Sequence, residues 1–456
     1  MDKFRLLELN LAFVTGLFMN LSKLFASNII WRGTYLFTSL LVTVLLARFF
    51  EASATGWLFY FISLLTLCFM LGSFSMEASV TYFVSGGEIN DRKMQSFVLA
   101  WTLFISLISV IVSFLLIRNG SDYVSKQEQI VMAVLFISGN LLITFYNALF
   151  YAKQNYRTPN IVFIVFNLVL ISILLIGMLS KEHIVSYQLF LWIYFLSYPL
   201  QGLVTTILYN GMYHSGFNFH LPDRAQLKQV FRYSLLAFMA NMIFFLVTRV
   251  DYWLIELFTH DHTALGNYIQ SSRLVQLFQL FPAILASSIF PLAASGYKEQ
   301  MKEGIERLSR IIVLLYILAS GVLALIGHWL FPFVFGESYG SMYVVFLWLV
   351  PGLFALSLLA LMAAYFAAIN QVKINIITSL VGLLVIVIAD LLLIPVYGII
   401  GAAAASSVGY LVCFFVALYY FNKETNVGLM DLLFFRKTDV DFLRNLVTKI
   451  TENKTN

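Results

Sequence analysis

Long apolar runs that contain no charged residue recur along the chain. Five of them cover residues 94–117, 129–152, 158–180, 311–336 and 338–372. A helix needs about 20 mainly apolar residues to cross a bilayer, and every one of these runs reaches that length. None shows the alternation of apolar and polar residues that is typical of a membrane β-barrel. The pattern therefore predicts an all-α, polytopic membrane protein.

Composition points to the same class of protein. Of the 456 residues, 61% are hydrophobic and 11% are charged, whereas an ordinary soluble domain carries about 25% charged residues. So few charges do not suffice to cover a water-exposed surface. The opening stretch LAFVTGLFMNL is not followed by a small-residue cleavage site, so a cleaved signal peptide is not expected there.

Twelve spans of helical length fit the sequence, and the basic residues orient them. The spans are placed at about 28–47, 57–83, 94–117, 129–151, 159–179, 186–209, 233–257, 266–294, 311–335, 342–369, 374–396 and 399–421. Of the 28 Lys and Arg residues, 21 fall in the termini and in the connections on the same side as them, and four fall in connections on the other side. Basic residues favour the cytoplasmic side, so both termini are predicted to be cytoplasmic.

The two halves of the chain contain similar stretches of sequence at corresponding positions. SATG at 53–56 and TALG at 263–266 each join the first span of a half to the second, and YAKQNYRTPNI at 151–161 matches FAAINQVKINI at 366–376 in position. Two sets of six spans with the same orientation are typical of transporters built from parallel repeats. The sequence therefore predicts two six-helix lobes related by a pseudo-twofold axis along the membrane normal.

This organisation divides the chain into five predicted segments. They are an N-terminal interfacial segment (1–27), an N-lobe (28–209), a cytoplasmic inter-lobe loop (210–232), a C-lobe (233–421) and a cytoplasmic amphipathic tail (422–456). The tail is expected to lie on the inner leaflet, with its basic residues near anionic lipid, or to be a solvated end. Cys68 and Cys413 both fall within predicted spans, so neither a disulfide framework nor a metal cluster is expected.

The stretch NIIWRGTYLFTSLLVTVLLARFFEASATGWLFYF resembles the opening of the Wzx-type oligosaccharide flippases. The positions that carry this likeness are Asn28, Trp31, Ala47, Arg48 and Gly56. RVDYWLIELFTHDHTALGNYIQSSRLVQLFQLFPAILASSIFP is similar to the seventh and eighth spans of that family. It has Asp251, Gly266, Tyr268 and Pro291 in the expected places.

Two further stretches, FPFVFGESY and LLLIPVYGIIGAAAASSVGY, resemble the end of the ninth span and the join of the last two spans. One departure is Asp390, which stands where such proteins more often carry Asn. The resemblance implies a V-shaped, two-lobed exporter of the multidrug/oligosaccharidyl-lipid/polysaccharide superfamily in the bacterial inner membrane. It also implies that the substrate is undecaprenyl-pyrophosphate carrying a sugar repeat unit, such as an O-antigen unit.

Three arginines lie inside predicted spans, namely Arg32, Arg249 and Arg273. An intramembrane charge usually faces a bundle interior or a wet cavity, and guanidinium groups bind phosphate oxygens through paired hydrogen bonds. We therefore expect the arginines to bind the pyrophosphate implied by the resemblance. Near Arg273, the side chains of Ser272, Gln276 and Gln279 form a polar arc at helical spacing that is suited to sugar hydroxyls.

Intramembrane carboxylates give these arginines an alternative role. Glu77, Asp251 and Asp390 are candidates for proton or sodium coupling, or for charge partners of the arginines, and Glu256 is a further possible partner. Residues two apart on a helix lie about 200° apart, so Arg249 and Asp251 are not expected to pair. Arg32 is close to the end of its span, where its side chain can reach the headgroups.

The sequence favours a transporter over an enzyme. It contains neither the phosphate-binding GxxxxGK[ST] nor the zinc-binding HExxH, and we expect no catalytic residues, metal or cofactor. Expected partners are the lipid-linked glycan, membrane lipids and other polysaccharide assembly proteins, but not nucleic acid. A multidrug or organic-cation antiporter of the same fold is the main alternative, and a membrane-embedded enzyme of polysaccharide assembly is a more remote one.

Overall fold

The computed structural model of the protein describes most of the chain. The described residues are 2–179, 186–213, 220–282, 298–369, 371–436 and 439, and side chains are described for these residues except 2–29 and 298–301. Asn28 and Pro291, two of the residues that carry the family resemblance, therefore fall outside the described side chains. No strand occurs in the described ranges.

Helices follow one another along the whole described chain. Their bounds are α1 Asp2–Ser73, α2 Met76–Ser85, α3 Asp91–Leu116, α4 Lys126–Ala152, α5 Arg157–Leu179, α6 Tyr187–Tyr213, α7 Arg224–Thr259, α8 His262–Phe278, α9 Lys298–Phe335, α10 Met342–Ala368, α11 Val372–Thr425 and α12 Leu429–Leu433. A 3-10 turn, Glu337–Tyr339, joins α9 to α10. Nine helices of the described residues are long and apolar enough to cross a membrane, and the predicted fold class is confirmed.

Two of these helices, α1 and α11, each contain one break that separates two helical arms. In α1 the break is at Glu51 (φ 62°), between the first two predicted spans. In α11 it is at Gly398 (φ 57°), between the last two predicted spans. Backbone with positive φ interrupts the helical hydrogen bonds, so each long helix turns at the point where the sequence predicts a connection.

The second predicted span, 57–83, is not continuous as expected. α1 ends at Ser73 and α2 begins at Met76, with Phe74 and Ser75 in the left-handed region (φ 52° and 50°). The indole Nε1 of Trp101 donates to the carbonyl oxygen of Gly72 (2.9 Å). Since an unsatisfied backbone group is costly in hydrocarbon, this bond supplies a partner at the interruption.

The chain forms two compact units. Unit 1 consists of residues 1–50 and 64–239, and unit 2 consists of residues 51–63 and 240–456. The segment 51–63 is therefore part of unit 2, although it precedes most of the first repeat in sequence. α1 and α7 each contribute residues to both units.

Small residues allow close helix packing inside each unit. In unit 1, α4 approaches α6 so closely that a Cβ on Gly139 would lie 2.5 Å from the nitrogen of Pro199. In unit 2, the two arms of α11 pack against each other where Gly382 faces Cys413 and Gly409 faces Ile386. Contacts of this kind are the usual means of helix association in lipid, and they explain Cys413 as a packing residue.

The described part of the tail lies against the start of α9. Arg310 donates from Nε and Nη2 to the carboxylate of Asp439 (2.7 and 2.9 Å) and from Nη1 to the carbonyl oxygen of Asp431 (2.7 Å). Arg310 and Asp439 are both buried. Most of the predicted amphipathic tail helix, residues 437–438 and 440–456, is outside the described residues.

Candidate substrate site

Arg249 lies in unit 2 on α7 and is held by neutral side chains. Its Nη1 donates to the hydroxyl of Tyr252, and its Nη2 donates to Oε1 of Gln276 on α8 (3.1 Å). The guanidinium carbon also lies 4.9 Å from the centre of the Tyr252 ring. Gln276 in turn donates to Oγ of Ser272 (3.3 Å). Hydrogen bonds thus connect three of the predicted site residues on two helices, namely Arg249, Gln276 and Ser272. We call this hydrogen-bonded series the Arg249 chain.

Asp251 lies on the other face of α7 and is almost fully buried. Its Oδ2 accepts hydrogen bonds from the hydroxyl of Tyr268 and from Oγ of Ser406 (3.1 Å), and its Oδ1 accepts from the backbone N–H of Tyr252 (2.9 Å). Asp251 and Arg249 form no ion pair with each other. Both side chains are instead satisfied by neutral partners, as the helical geometry predicts.

Asp390 is the second buried carboxylate of unit 2. It has no exposed surface, and neither of its carboxylate oxygens has a hydrogen-bond partner in the described part of the chain. An ionised carboxylate without a partner is costly to bury, so Asp390 is a candidate for holding a proton or a cation.

The other polar residues of α8 and of its C-cap, Gln279, point in different directions. Arg273 places its guanidinium carbon 3.5 Å from the centre of the Phe59 ring. Gln279 donates to Oγ of Ser357 (3.0 Å) and to the carbonyl oxygen of Leu353 (3.3 Å), both on α10. Gln279 is therefore engaged in packing between two helices, whereas Ser272 and Gln276 connect to Arg249.

Two predicted site residues belong to unit 1. Arg32 on α1 is exposed, and none of the described carboxylates forms an ion pair with it. Glu77 on α2 is partly buried, and its Oε2 has no hydrogen-bond partner among the described atoms. Neither residue belongs to the hydrogen-bonded series of Arg249, Gln276 and Ser272, which lies within unit 2.

Sequence reasoning missed several residues of these clusters. Tyr252, Tyr268 and Ser406 hold the charged groups of unit 2, but hydroxyls of this kind are common in membrane helices. Glu256, predicted as a possible arginine partner, instead pairs with Nδ1 of His262 (3.2 Å). A signal was available for Tyr268, because it lies 17 residues after Asp251 in the stretch that resembles the flippases.

No family model matches the chain. Among curated proteins, the capsular polysaccharide biosynthesis protein CapF of Staphylococcus aureus is 27% identical over 164 residues, which is 35% of this chain. The match covers 41% of the length of CapF, so it concerns less than half of that relative.

Solved structures match nearly the whole chain. The lipid II flippase MurJ, in an inward closed conformation, has a TM-score of 0.70 and 15% identity and covers 89% of each chain. An inward-facing multidrug resistance transporter of the MATE family has a TM-score of 0.62 and 11% identity, over 88% of this chain and 96% of its own. A transporter of the same superfamily from Pyrococcus furiosus has a TM-score of 0.59 and 12% identity, over 88% and 94%. The protein therefore has the fold of these transporters, and its structural neighbours are flippases and transporters rather than enzymes.

Proposed function

We propose that the protein is a flippase for undecaprenyl-pyrophosphate-linked oligosaccharide repeat units. It would move them from the inner to the outer leaflet of a bacterial cytoplasmic membrane by alternating access, for surface polysaccharide biosynthesis. The observation that carries this proposal is Arg249. Its guanidinium is oriented by Tyr252 and Gln276 and forms no ion pair with any carboxylate of the described residues, so its charge is available to an anion.

A pyrophosphate headgroup suits this chain of side chains. Moving it through hydrocarbon requires that its hydration be replaced, and a guanidinium offers five N–H donors in a planar arrangement that fits phosphate oxygens. Gln276 and Ser272 continue the chain with an amide and a hydroxyl, which donate to and accept from sugar hydroxyls. Arg273 and Arg32 are further candidates for binding the anion, and Gln279 has a supporting role in packing.

The comparisons support a lipid-linked glycan as the substrate class. MurJ is described as a lipid II flippase and CapF as a capsular polysaccharide biosynthesis protein. The partners we propose are therefore the lipid-linked glycan, membrane lipids and other polysaccharide assembly proteins. The MATE likeness keeps an organic-cation antiporter as the competing function. A cationic drug would be repelled by Arg249, whereas an anionic lipid would be attracted.

We further propose that the buried acids couple transport to a proton or sodium ion. Asp390 is buried, and neither of its carboxylate oxygens has a hydrogen-bond partner among the described atoms, so a bound proton or sodium ion would offset the cost of burying its charge. Glu77 is the corresponding candidate in unit 1, since its Oε2 has no hydrogen-bond partner among the described atoms.

The test is transport by the purified full-length protein in liposomes. Flipping of an undecaprenyl-pyrophosphate-linked oligosaccharide with a fluorescent sugar is followed by chemical quenching from outside. Uptake of a fluorescent organic cation is measured in parallel under proton and sodium gradients. We expect the lipid to move faster than in protein-free liposomes and the cation not to move. Transport of the cation alone would refute the proposal in favour of the antiporter.

A further inference from the structure

Two arginines and several aromatic rings meet within unit 1 where α1, α4 and α5 come together. Arg157, the first residue of α5, places its guanidinium carbon 5.2 Å from the centre of the Trp31 ring. Arg32 follows Trp31 on α1, and Tyr35 lies about one helical turn further along the same helix. We call Trp31, Arg32, Tyr35, Tyr151, Tyr156 and Arg157 the arginine–aromatic cluster.

The rings of this cluster are packed, while its charges remain accessible. Tyr151, near the end of α4, stacks at a tilt on Tyr156 with 5.1 Å between ring centres. Tyr35 packs in the same way on Phe163 of α5 (4.8 Å). All of these tyrosines are half-buried, whereas Arg32 and Arg157 are exposed. A rigid aromatic floor with guanidinium groups beside it can contact a ring and an anion at the same time.

No carboxylate of the described residues balances the positive charge of this cluster. Among the described residues, neither Arg32 nor Arg157 forms an ion pair. The first turn of α5 contains no acidic residue. The backbone N–H of Thr158 in that turn donates instead to Oδ1 of Asn155 (3.1 Å), which carries no charge. A helix N-terminus is itself positive, so an arginine there is unfavourable. An anion would relieve both charges together.

At the start of α7, also in unit 1, a carboxylate compensates the positive charge of an arginine at a helix N-terminus. Arg224 is also an exposed arginine at the first position of a helix. There, however, the carboxylate of Asp223 accepts from the backbone N–H of Gln226 (2.8 Å) and supplies the negative charge. Arg224 is therefore a matched control for Arg157, since the two differ in the carboxylate and in the aromatic neighbours.

The repeated sequence indicates that the fold does not require this cluster. In the second repeat, Gln371 and Val372 occupy the positions of Tyr156 and Arg157, and the only cation there, Lys373, is one position further on. Within the aligned stretch, the helix that begins at Val372 forms without the arginine and its ring neighbour. The cluster is thus specific to the first repeat, as expected for a binding function rather than a folding one.

We propose that the arginine–aromatic cluster is a receiving site for a sugar-pyrophosphate headgroup, distinct from the Arg249 chain. The two guanidinium groups and the N-terminus of α5 would bind the pyrophosphate, and the faces of Trp31 and Tyr156 would pack on the sugar ring. This inference rests on the proposed function, because it assigns a second position to the same substrate. The predicted topology places the cluster at the cytoplasmic side, where a lipid-linked glycan assembled inside the cell would arrive.

Binding to the full-length protein in phosphatidylcholine nanodiscs tests the proposal. One probe is a short-chain isoprenyl pyrophosphate that bears a single N-acetylhexosamine, and the second is the same lipid without the sugar. Arg157→Gln is expected to weaken both probes about tenfold, since one charge-assisted contact of about 1.4 kcal/mol corresponds to a factor of ten. Trp31→Leu is expected to weaken only the sugar-bearing probe, and Arg224→Gln neither.

The variants are first compared with the unmodified protein by size-exclusion profile and thermal unfolding. Arg157→Lys and Tyr156→Leu serve as second variants if Arg157→Gln does not fold. Equal binding by the Arg157 and Arg224 variants would overturn the proposal. The proposal would also be overturned if Arg157→Gln lowered the affinity for phosphatidylglycerol as much as for the two probes and Trp31→Leu did not distinguish the probes. The cluster would then be an anchor for membrane lipid. If the unmodified protein binds neither probe, the proposed function itself fails.

Discussion

Gly56 and Gly266 cross with their backbones in contact inside unit 2. A Cβ on Gly56 would lie 2.8 Å from the amide nitrogen of Gly266 and would overlap the carbonyl oxygen of His262, while a Cβ on Gly266 would overlap the carbonyl oxygen of Ala52. These glycines are the last residues of SATG and TALG, the two segments matched by the internal repeat. The same position in each repeat is thus a glycine because each faces the other backbone.

Side chains around this crossing fix the segment 51–63 to the rest of unit 2. Ser338 accepts a hydrogen bond from the backbone N–H of Ala52 (3.0 Å), and the hydroxyls of Thr55 and Tyr339 are hydrogen-bonded to each other. Thr55 and Tyr339 are both fully buried. The glycine crossing therefore lies in a well-packed region that cannot yield easily to an added methyl group.

Gly56→Ala and Gly266→Ala are each expected to destabilise the protein. Overpacking costs about 1–3 kcal/mol in ordinary cores, and here the added atom would meet backbone, which cannot rotate away. The control is Gly321→Ala, since Gly321 is helical and has no atom within 4 Å of an added Cβ. Thermal unfolding in detergent measures the difference. Equal midpoints for the three variants would show that the crossing is looser than described.

The tail offers a second prediction, because Asp439 is held by Arg310 at the start of α9. Removing one partner of a buried ion pair typically costs about 3–5 kcal/mol, so Asp439→Asn should release the tail from α9. Arg307→Ala is the graded control, since Arg307 approaches Asp439 only to 3.8 Å. A spin label at Met430→Cys, in a background of Cys68→Ser and Cys413→Ala, reports the mobility. Mobility no greater in Asp439→Asn than in Arg307→Ala would contradict the prediction.

The pH dependence of this contact follows from the carboxyl group. Burial alone would raise the pKa of Asp439, but the hydrogen bonds from Arg310 and from the backbone N–H of Arg436 outweigh it and hold the pKa below its usual 3.8. Because the pKa of Asp439 is lowered in the docked state, its ionised carboxylate stabilises the docked tail above pH 3.8. This stabilisation is lost as the pH falls through the lower pKa of the docked state. The spin label should therefore stay immobile across the neutral range and become mobile only below pH 3.8.

Much of the fold followed from the sequence, because membrane helices are defined by length and apolarity. The breaks at Glu51 and Gly398 fall between predicted spans, as expected. The interruption at Phe74 and Ser75 was not predicted. Beside it, Trp101 donates to the carbonyl of Gly72 from a position distant in sequence, and a local pattern does not reveal such a contact. The place of segment 51–63 in unit 2 depends on the glycine crossing, which a single sequence does not reveal.

The predicted orientation leads to a third prediction. The 21 basic residues on one side and the four on the other predict that both termini are cytoplasmic. A reporter active only inside the cell should therefore be active when fused at Asn422 and inactive when fused at Thr263. Identical reporter signals at the two positions would refute the topology.

The candidate site was only partly predictable. The sequence identified Arg249, Ser272 and Gln276, because charged and polar residues are rare inside apolar spans and therefore conspicuous. It did not separate Gln279 from them, since helical spacing alone cannot tell which side chain a neighbouring helix will satisfy. That distinction comes from Ser357 on α10, which accepts the hydrogen bond of Gln279.

Asp390 gives a fourth prediction. Asp390→Asn keeps the size of the side chain and removes a buried acid, so protein abundance should not fall. If Asp390 takes part in coupling, the dependence of lipid flipping on pH or sodium should change. Initial rates in liposomes, with sodium replaced by choline and across neutral pH, measure this. An unchanged ion dependence would leave Asp390 a structural role only.

The last prediction separates substrate binding at Arg249 from charge balance with Asp251. Arg249 uses two different nitrogens, one for Tyr252 and one for Gln276, and a lysine ammonium cannot reproduce that planar arrangement. Arg249→Lys should therefore reduce flipping partially and Arg249→Gln severely, both at normal abundance. The same order is expected for Arg273. Arg118→Gln, at an exposed arginine outside the predicted spans, controls for the general loss of a positive charge.

The double variant Arg249→Gln with Asp251→Asn then decides between the two roles. If Arg249 only balances the acid, removing both charges should restore flipping, since no uncompensated charge would remain. If Arg249 binds the pyrophosphate, the double variant should stay inactive, because the anion has lost its guanidinium whatever the state of Asp251. Asp251→Asn alone must be measured beside it, since Asp251 also accepts from Tyr268 and Ser406. Substrate binding is refuted if Asp251→Asn is active and the double variant flips just as fast.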